Sequence, residues 1–210
     1  MRFSSSYRFI FVRHLETKSS GKIIGQFDLE PSQKLPDSFT LPEFLKEVDF
    51  HFSSDLKRCR VLSEQLHPLL QKTIHYSKDL REIFRGDFEG LSWDEAKQKN
   101  PVAYETWMQD YYFAAPPKGE TLEHFLQRIE KAMEWIFSFL QYNIVDEERK
   151  EEYTILVVTH SGFIKCLLHI LFKIPIESCF SFELDFCAST TILQTANSFK
   201  LVSWNQSIVQ

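Results

Sequence analysis

No two of the four cysteines, Cys59, Cys166, Cys179 and Cys187, show CxxC spacing. That absence removes the common zinc and dithiol motifs and leaves free cysteine as a small hydrophobe. We therefore expect a reducing cytoplasm, no metal site and no cofactor. No apolar run reaches the length of a membrane span. The longest candidate, residues 162–175, is broken by Lys165, His169 and Lys173 and reads as a packed helix. The N-terminus lacks the basic-then-apolar pattern of a secretion signal, and Met1 leads directly into a first strand. Positive charge is not in excess either. Twenty-four basic against 29 acidic residues give a net charge of −5, which speaks against a nucleic-acid or anionic-membrane partner. Any basic patch is then local, as suits a small anionic ligand. Nothing along the chain has the periodicity of a repeat.

What is present is a core. At 210 residues, 43% hydrophobic and 15% aromatic, the chain is long enough for one well-cored domain over residues 1–210 with a small inserted lobe. Residues 8–12 form a run of strand length, apolar from Phe9 to Val12, that delivers Arg13 and His14 to its C-terminal end. Residues 49–54 read as a second strand, 74–76 as a short third, and 153–159 as the clearest buried strand. Residues 189–194 and 199–204 read as a closing hairpin. A short helix is expected at 42–48. Another follows Asp55, with Leu62, Leu66 and Leu69 on one face. A long one is capped by Thr121, with its apolar stripe from Leu122 to Leu140. The charge run 146–152 reads as a surface loop. Between about 85 and 120 lie Ser92-Trp93-Asp94-Glu95, a capping box, and Asn100-Pro101, an N-cap with proline at N1. This aromatic helical lobe, with Trp93, Tyr104 and Trp107, could cover a pocket or pack as core.

Polar groups follow three of the apolar strands: Arg13-His14, Arg58 a few residues past Ser53-Ser54, and His160-Ser161-Gly162. Strands alternating with helices favour a mostly parallel sheet whose carboxyl ends share one edge, where ligands of open α/β sheets bind. Two arginines and two histidines would then meet, an arrangement costly without an anion. His51, His67, His75, His124 and His169 are assigned to packing or surface. Guanidinium forks match phosphate oxygens bidentately, and neutral imidazole is a competent nucleophile towards phosphorus. Fixed donors from Arg13, Arg58 and His160 would stabilise the transferring phosphoryl group, and Glu82 could protonate the leaving alkoxide.

Five stretches in order resemble the successive motifs of the histidine phosphatase (phosphoglycerate mutase-like) superfamily. They are Arg13-His14-Leu15-Glu16-Thr17, Ser54-Asp55-Leu56-Lys57-Arg58, residues 80–90 (LREIFRGDFEG), Gly119-Glu120-Thr121 and Val158-Thr159-His160-Ser161-Gly162. The Gly-Asp-Phe-Glu-Gly run followed by Trp93-Asp94-Glu95 is most similar to the α-ribazole phosphatase branch. The resemblance implies a three-layer α/β/α sandwich with a mostly parallel sheet. It also implies a phosphorylated nucleophile at His14, a proton donor at Glu82, and a phosphate pocket of Arg13, Arg58 and His160 that needs no metal. Ser20, Gly25 and Ser161 are the further substrate-binding candidates. Two departures stand out. Leu15 replaces the family's usual glycine, an expectation of a crowded pocket floor, and Ser20 stands where asparagine is frequent.

The expected function is metal-independent hydrolysis of a small-molecule phosphomonoester through a phosphohistidine. The substrate would be α-ribazole phosphate-like, with an aromatic lobe suited to a bulky, less anionic ester. A phosphoglycerate mutase using the same residues is one rival. A non-catalytic phospholigand-binding module is the other, and a metal hydrolase is remote because His14, Glu16 and His160 lack metal-ligand spacing. No nucleic-acid or membrane partner is expected, and the oligomeric state is left open.

Overall fold

The computed structural model describes residues 5–144, 150–196 and 198–209. Met1, most of the charge run 146–152 and Asn197 of the expected hairpin turn lie outside the described residues. Six strands form one sheet: β1 Ser6–Arg13, β2 Phe50–Ser54, β3 Ile74–Ser77, β4 Glu152–Thr159, β5 Ala188–Gln194 and β6 Phe199–Ser207. Their order is β3-β2-β4-β1-β5-β6. The first four strands in that order are parallel to their neighbours, while β5 runs antiparallel to β1 and β6 antiparallel to β5.

The two faces of the sheet are covered by different helices. Phe9, Phe11, Ile155 and Val157 point into a core shared with α4 (Leu122–Asn143) and α5 (Ser161–Phe172). Their sequence neighbours Ile10, Val12, Leu156 and Val158 point the other way, into a core shared with α1 (Lys57–Leu70). Burial on both sides explains why β1 and β4 read as continuous apolar runs without alternation. The result is the expected three-layer α/β/α arrangement. Helix α4 starts where Thr121 Oγ1 accepts from the His124 N–H at 3.1 Å.

The segment between β3 and α4 holds α2 (Trp93–Lys99) and α3 (Pro101–Gln109). Ser92 and Glu95 form the reciprocal capping box, and Asn100 Oδ1 accepts from Ala103 N at 3.1 Å. This lobe has its own small core of Ile23, Phe88, Ala96 and Trp107. Its aromatics pack on each other: Trp93 and Trp107 stack at 5.9 Å.

Two local expectations are corrected. The helix expected at 42–48 is a single 3-10 turn, Glu43–Leu45, because Leu45 and Val48 drop straight onto the α1 face. On α1, Leu70 rather than Leu69 joins Leu62 and Leu66, which is the strict four-residue step. Leu69 is 47% exposed.

The topology puts β2, β4 and β1 side by side, so three chain exits emerge at one edge. His51, inside β2, is fully buried with its Nε2 3.2 Å from Ser63 Oγ, and its Nδ1 has no partner among the described residues. Burial, then the neighbouring His67 and His75, lowers its pKa from the model-compound value of 6.5 to about 3. The unfolded chain therefore takes the proton first. This group's contribution to stability is intact above pH 6.5 and drains as pH falls toward 3. Urea titrations should give a loss of roughly 2 kcal/mol between pH 6.5 and pH 5 from this residue alone. His51→Gln should flatten the pH dependence by that amount, and an unchanged slope would contradict the assignment.

Candidate active site

Arg13 is the last residue of β1, and its guanidinium donates to the Leu184 carbonyl. It lies over the Phe186 ring with Cζ 3.6 Å from the centroid. Its Nε is buried without a partner among the described residues, and no carboxylate there lies within ion-pair distance of it. His14 follows. Its Nδ1 is 2.6 Å from the Leu15 carbonyl oxygen. A carbonyl can only accept, so Nδ1 carries the hydrogen and Nε2 keeps its lone pair. Burial, reinforced by the charges of Arg58 and Arg13, holds the His14 pKa well below 6.5, so the ring is neutral at physiological pH. Leu15 does not crowd the cavity. Its side chain packs with Ile10 and Val12, and the site uses only its carbonyl.

Arg58 comes from the first turn of α1 and is 1% exposed. It donates through Nη1 to the Phe27 carbonyl at 3.0 Å and through Nη2 to the Gly25 carbonyl at 2.6 Å. Its Nε donates to His160 Nδ1 at 3.3 Å. Arginine has five N–H groups, so two remain for a ligand. His160, directly after β4, then carries its hydrogen on Nε2 and donates to Ser54 Oγ at 2.9 Å. Its pKa is also pushed well below 6.5, by burial first and the Arg58 charge second. The rings of His14 and His160 stand 5.0 Å apart.

Glu82 is half-buried. Its Oε2 accepts from Gly162 N at 2.9 Å and its Oε1 from Ile83 N at 3.0 Å. The carboxyl group thus sits at the N-terminus of α5, with one backbone N–H of that helix and one of its own chain neighbour as donors. A Cβ at 162 would come 2.2 Å from Glu82 Oε1, so glycine there leaves the carboxyl group room to seat against the helix. The strand-to-turn segment carrying Glu82 is stapled by Arg128 of α4. That side chain donates to the carbonyls of Asp79, Arg81 and Glu82 at 2.8–3.0 Å while holding Glu120 through two further bonds.

Arg13, His14, Arg58, Glu82 and Ser161 line one cavity of about 100 Å³, with Thr17, Ser19, Ile24 and Phe186. Three expected residues fall elsewhere. His160 was expected to donate to the ligand, but its two nitrogens are engaged by Arg58 and Ser54 and its ring does not line the cavity. Ser20 is exposed, and Ser19 takes the lining position. Gly25 offers its carbonyl to Arg58, and a Cβ there would meet the Ile83 carbonyl oxygen at 2.0 Å. Sequence reasoning missed Glu89, whose carboxylate gathers the N–H groups of Gly25, Gln26 and Arg85 at 2.7–3.3 Å and so shapes the loop that holds Arg58. Its place in the Gly-Asp-Phe-Glu-Gly motif was the available signal. Arg128 and Phe186 carried none.

Residues 9–207 match the model of the histidine phosphatase superfamily (branch 1). The chain belongs to that superfamily. It is accordingly a metal-independent phosphatase. The adenosylcobalamin/α-ribazole phosphatase of Escherichia coli is 27% identical over 137 residues, 65% of this chain and 63% of that protein. The Salmonella typhimurium enzyme of the same name is 24% identical over 204 residues, 91% of this chain and 96% of that one. A solved α-ribazole phosphatase from Shigella flexneri superposes with a TM-score of 0.76 at 22% identity, covering 97% of this chain and 98% of the other, which shows a shared fold.

In this phosphatase the fit between Gly162 and Glu82 gives a direct test. Gly162→Ala should displace the carboxylate, whose end is flexible, while leaving the helix intact or firmer. The expected result is a fall in kcat/KM on the order of 10²-fold with an unchanged or raised melting temperature. Full activity would show that Glu82 is not needed where it stands.

Proposed function

We propose that this phosphatase hydrolyses a small-molecule phosphomonoester through a phosphohistidine on His14. The observation that carries the reading is the free Nε2 of a neutral His14 in one cavity with two guanidinium groups and Glu82. In the first step the Nε2 lone pair forms the N–P bond as the ester P–O bond breaks, and Glu82 gives its proton to the departing alkoxide. In the second, water attacks phosphorus, Glu82 takes the water proton, and the N–P bond breaks to release inorganic phosphate. The phosphoryl group moves between oxygen and nitrogen with charge spread over its equatorial oxygens. Arg13 Nε and the two uncommitted Arg58 N–H groups are suited to that charge, with Ser161, Ser19 and Thr17 hydroxyls around them. His160 is a positioning residue: it holds Arg58 by Nε and stands against His14.

A module that only binds phosphate esters would need neither a nucleophile nor a proton donor. The relatives' names make α-ribazole phosphate the first ester to assay. A reducing, cytoplasmic setting suits the four free and buried thiols.

The test is the leaving-group dependence of Glu82→Gln. Esters of basic alcohols should slow by roughly 10²–10⁴-fold, the usual contribution of general acid catalysis, and activated aryl esters far less. Equal losses for both would assign Glu82 a structural role instead. Because the arginines supply the positive charge, EDTA should leave turnover intact. Inactivation reversed by a divalent ion would contradict the mechanism.

A further inference from the structure

A second cavity, of about 200 Å³, opens on the far side of Glu82. It shares Ile24, Glu82 and Ser161 with the first, so an ester with its phosphorus between Arg13 and Arg58 sends its alcohol portion this way. The walls are largely apolar: Ile83, Leu122, Phe125 and Phe180. Set among them are two cations, Arg85 and Lys165. Trp93, Tyr104 and Trp107 do not line this space: Trp107 is buried in the lobe's own small core, and Trp93 stacks on it while remaining 47% exposed.

Neither cation forms an ion pair among the described residues. Arg85 is fixed from one side, with its Cζ 5.1 Å from the centroid of Trp107. Lys165 sits one helical turn beyond Ser161 on α5, so one helix face gives the first cavity a hydroxyl and the second an ammonium. The acids facing Arg85 are committed elsewhere. Glu89 accepts backbone N–H groups, Glu120 is gripped by Arg128, and Glu82 is held by Gly162 and Ile83. Glu183, which faces Lys165, stays beyond ion-pair distance. Partly desolvated cations between apolar walls gain most from a ligand anion, because the low local polarity strengthens the pairing.

We propose that this second cavity is an anion subsite for the alcohol portion of the substrate. The ester then carries, besides its scissile phosphate, a carboxylate or a second phosphate held by Arg85 and Lys165. The proposal rests on the phosphohistidine reading and narrows it. It turns the preference away from neutral nucleoside esters such as α-ribazole phosphate. The volume agrees, being below the roughly 300–1,000 Å³ of pockets that enclose drug-sized ligands.

The test compares kcat/KM for matched esters that differ in the distal group: 3-phosphoglycerate (carboxylate), glycerol 1,3-bisphosphate (phosphate), glycerol 3-phosphate (neutral) and α-ribazole 5′-phosphate (neutral, bulky). The wild-type chain should favour at least one anionic ester over glycerol 3-phosphate by on the order of 10–10²-fold. Which arm wins separates carboxylate from phosphate. In Arg85→Gln and in Lys165→Gln that ratio should fall toward unity. Each ratio is internal to one protein preparation, so a lower folded fraction cancels from it. Equal or better hydrolysis of the neutral esters overturns the subsite and leaves the phosphohistidine reading standing. So does an anionic preference that survives both substitutions. A chain inert towards every ester overturns both.

Discussion

The site depends on guanidinium charge, buried at Arg58 and partly buried at Arg13, that no carboxylate among the described residues meets at ion-pair distance. Arg58 is almost fully buried, yet its three identified partners are two carbonyls and a neutral imidazole. Arg13 likewise rests on a carbonyl and an aromatic face. Taking such ions out of water costs several kcal/mol each unless their hydrogen-bonding capacity is met. Neutral acceptors meet that capacity without cancelling the charge, so the field is left for an incoming phosphate. Much of the surrounding architecture serves this condition. Gly25 must lack a side chain for its carbonyl to reach Arg58, and Glu89 gathers the 25–27 backbone that presents it. Burial first, and the same field second, keep both histidines neutral, which is the state a nucleophile needs.

Chemistry and selectivity occupy different parts of the fold. The reacting groups stand at the ends of β1 and β4 and on the first turn of α1, anchored by a sheet buried on both faces. The alcohol side is built from the 82–85 turn, the start of α4 and one face of α5. Glu82 joins the two regions, held by the α5 N-terminus and by the Arg128 staple behind it.

The sheet was legible because burial on both faces writes itself as unbroken apolar runs, and the helix starts were legible because Ser92, Asn100 and Thr121 cap by local chemistry. The meeting of Arg13, His14, Arg58 and Glu82 followed from parallel strands sharing one edge. Side-chain direction was not legible. Nothing in the sequence says that His160 turns its nitrogens to Arg58 and Ser54, or that Ser19 rather than Ser20 faces the cavity. The aromatic lobe was ambiguous for the same reason: composition gives rings, while packing decides whether they face each other or a ligand. Arg128 was invisible, being a basic residue on an otherwise ordinary amphipathic helix, with three of its bonds going to backbone carbonyls distant in sequence. Leu15 shows the reverse. A departure that looked disruptive is harmless because only its carbonyl is used.

That carbonyl makes the central claim sharply measurable. With Nδ1 donating to Leu15, only Nε2 of His14 is free to bond phosphorus. Rapid quenching of the protein during turnover, followed by mapping of the acid-labile phosphoryl group and assignment of the phosphohistidine isomer by NMR, reads this directly. The account predicts a phosphoryl group on His14, attached at Nε2. Attachment at Nδ1, or on any other residue, would contradict it.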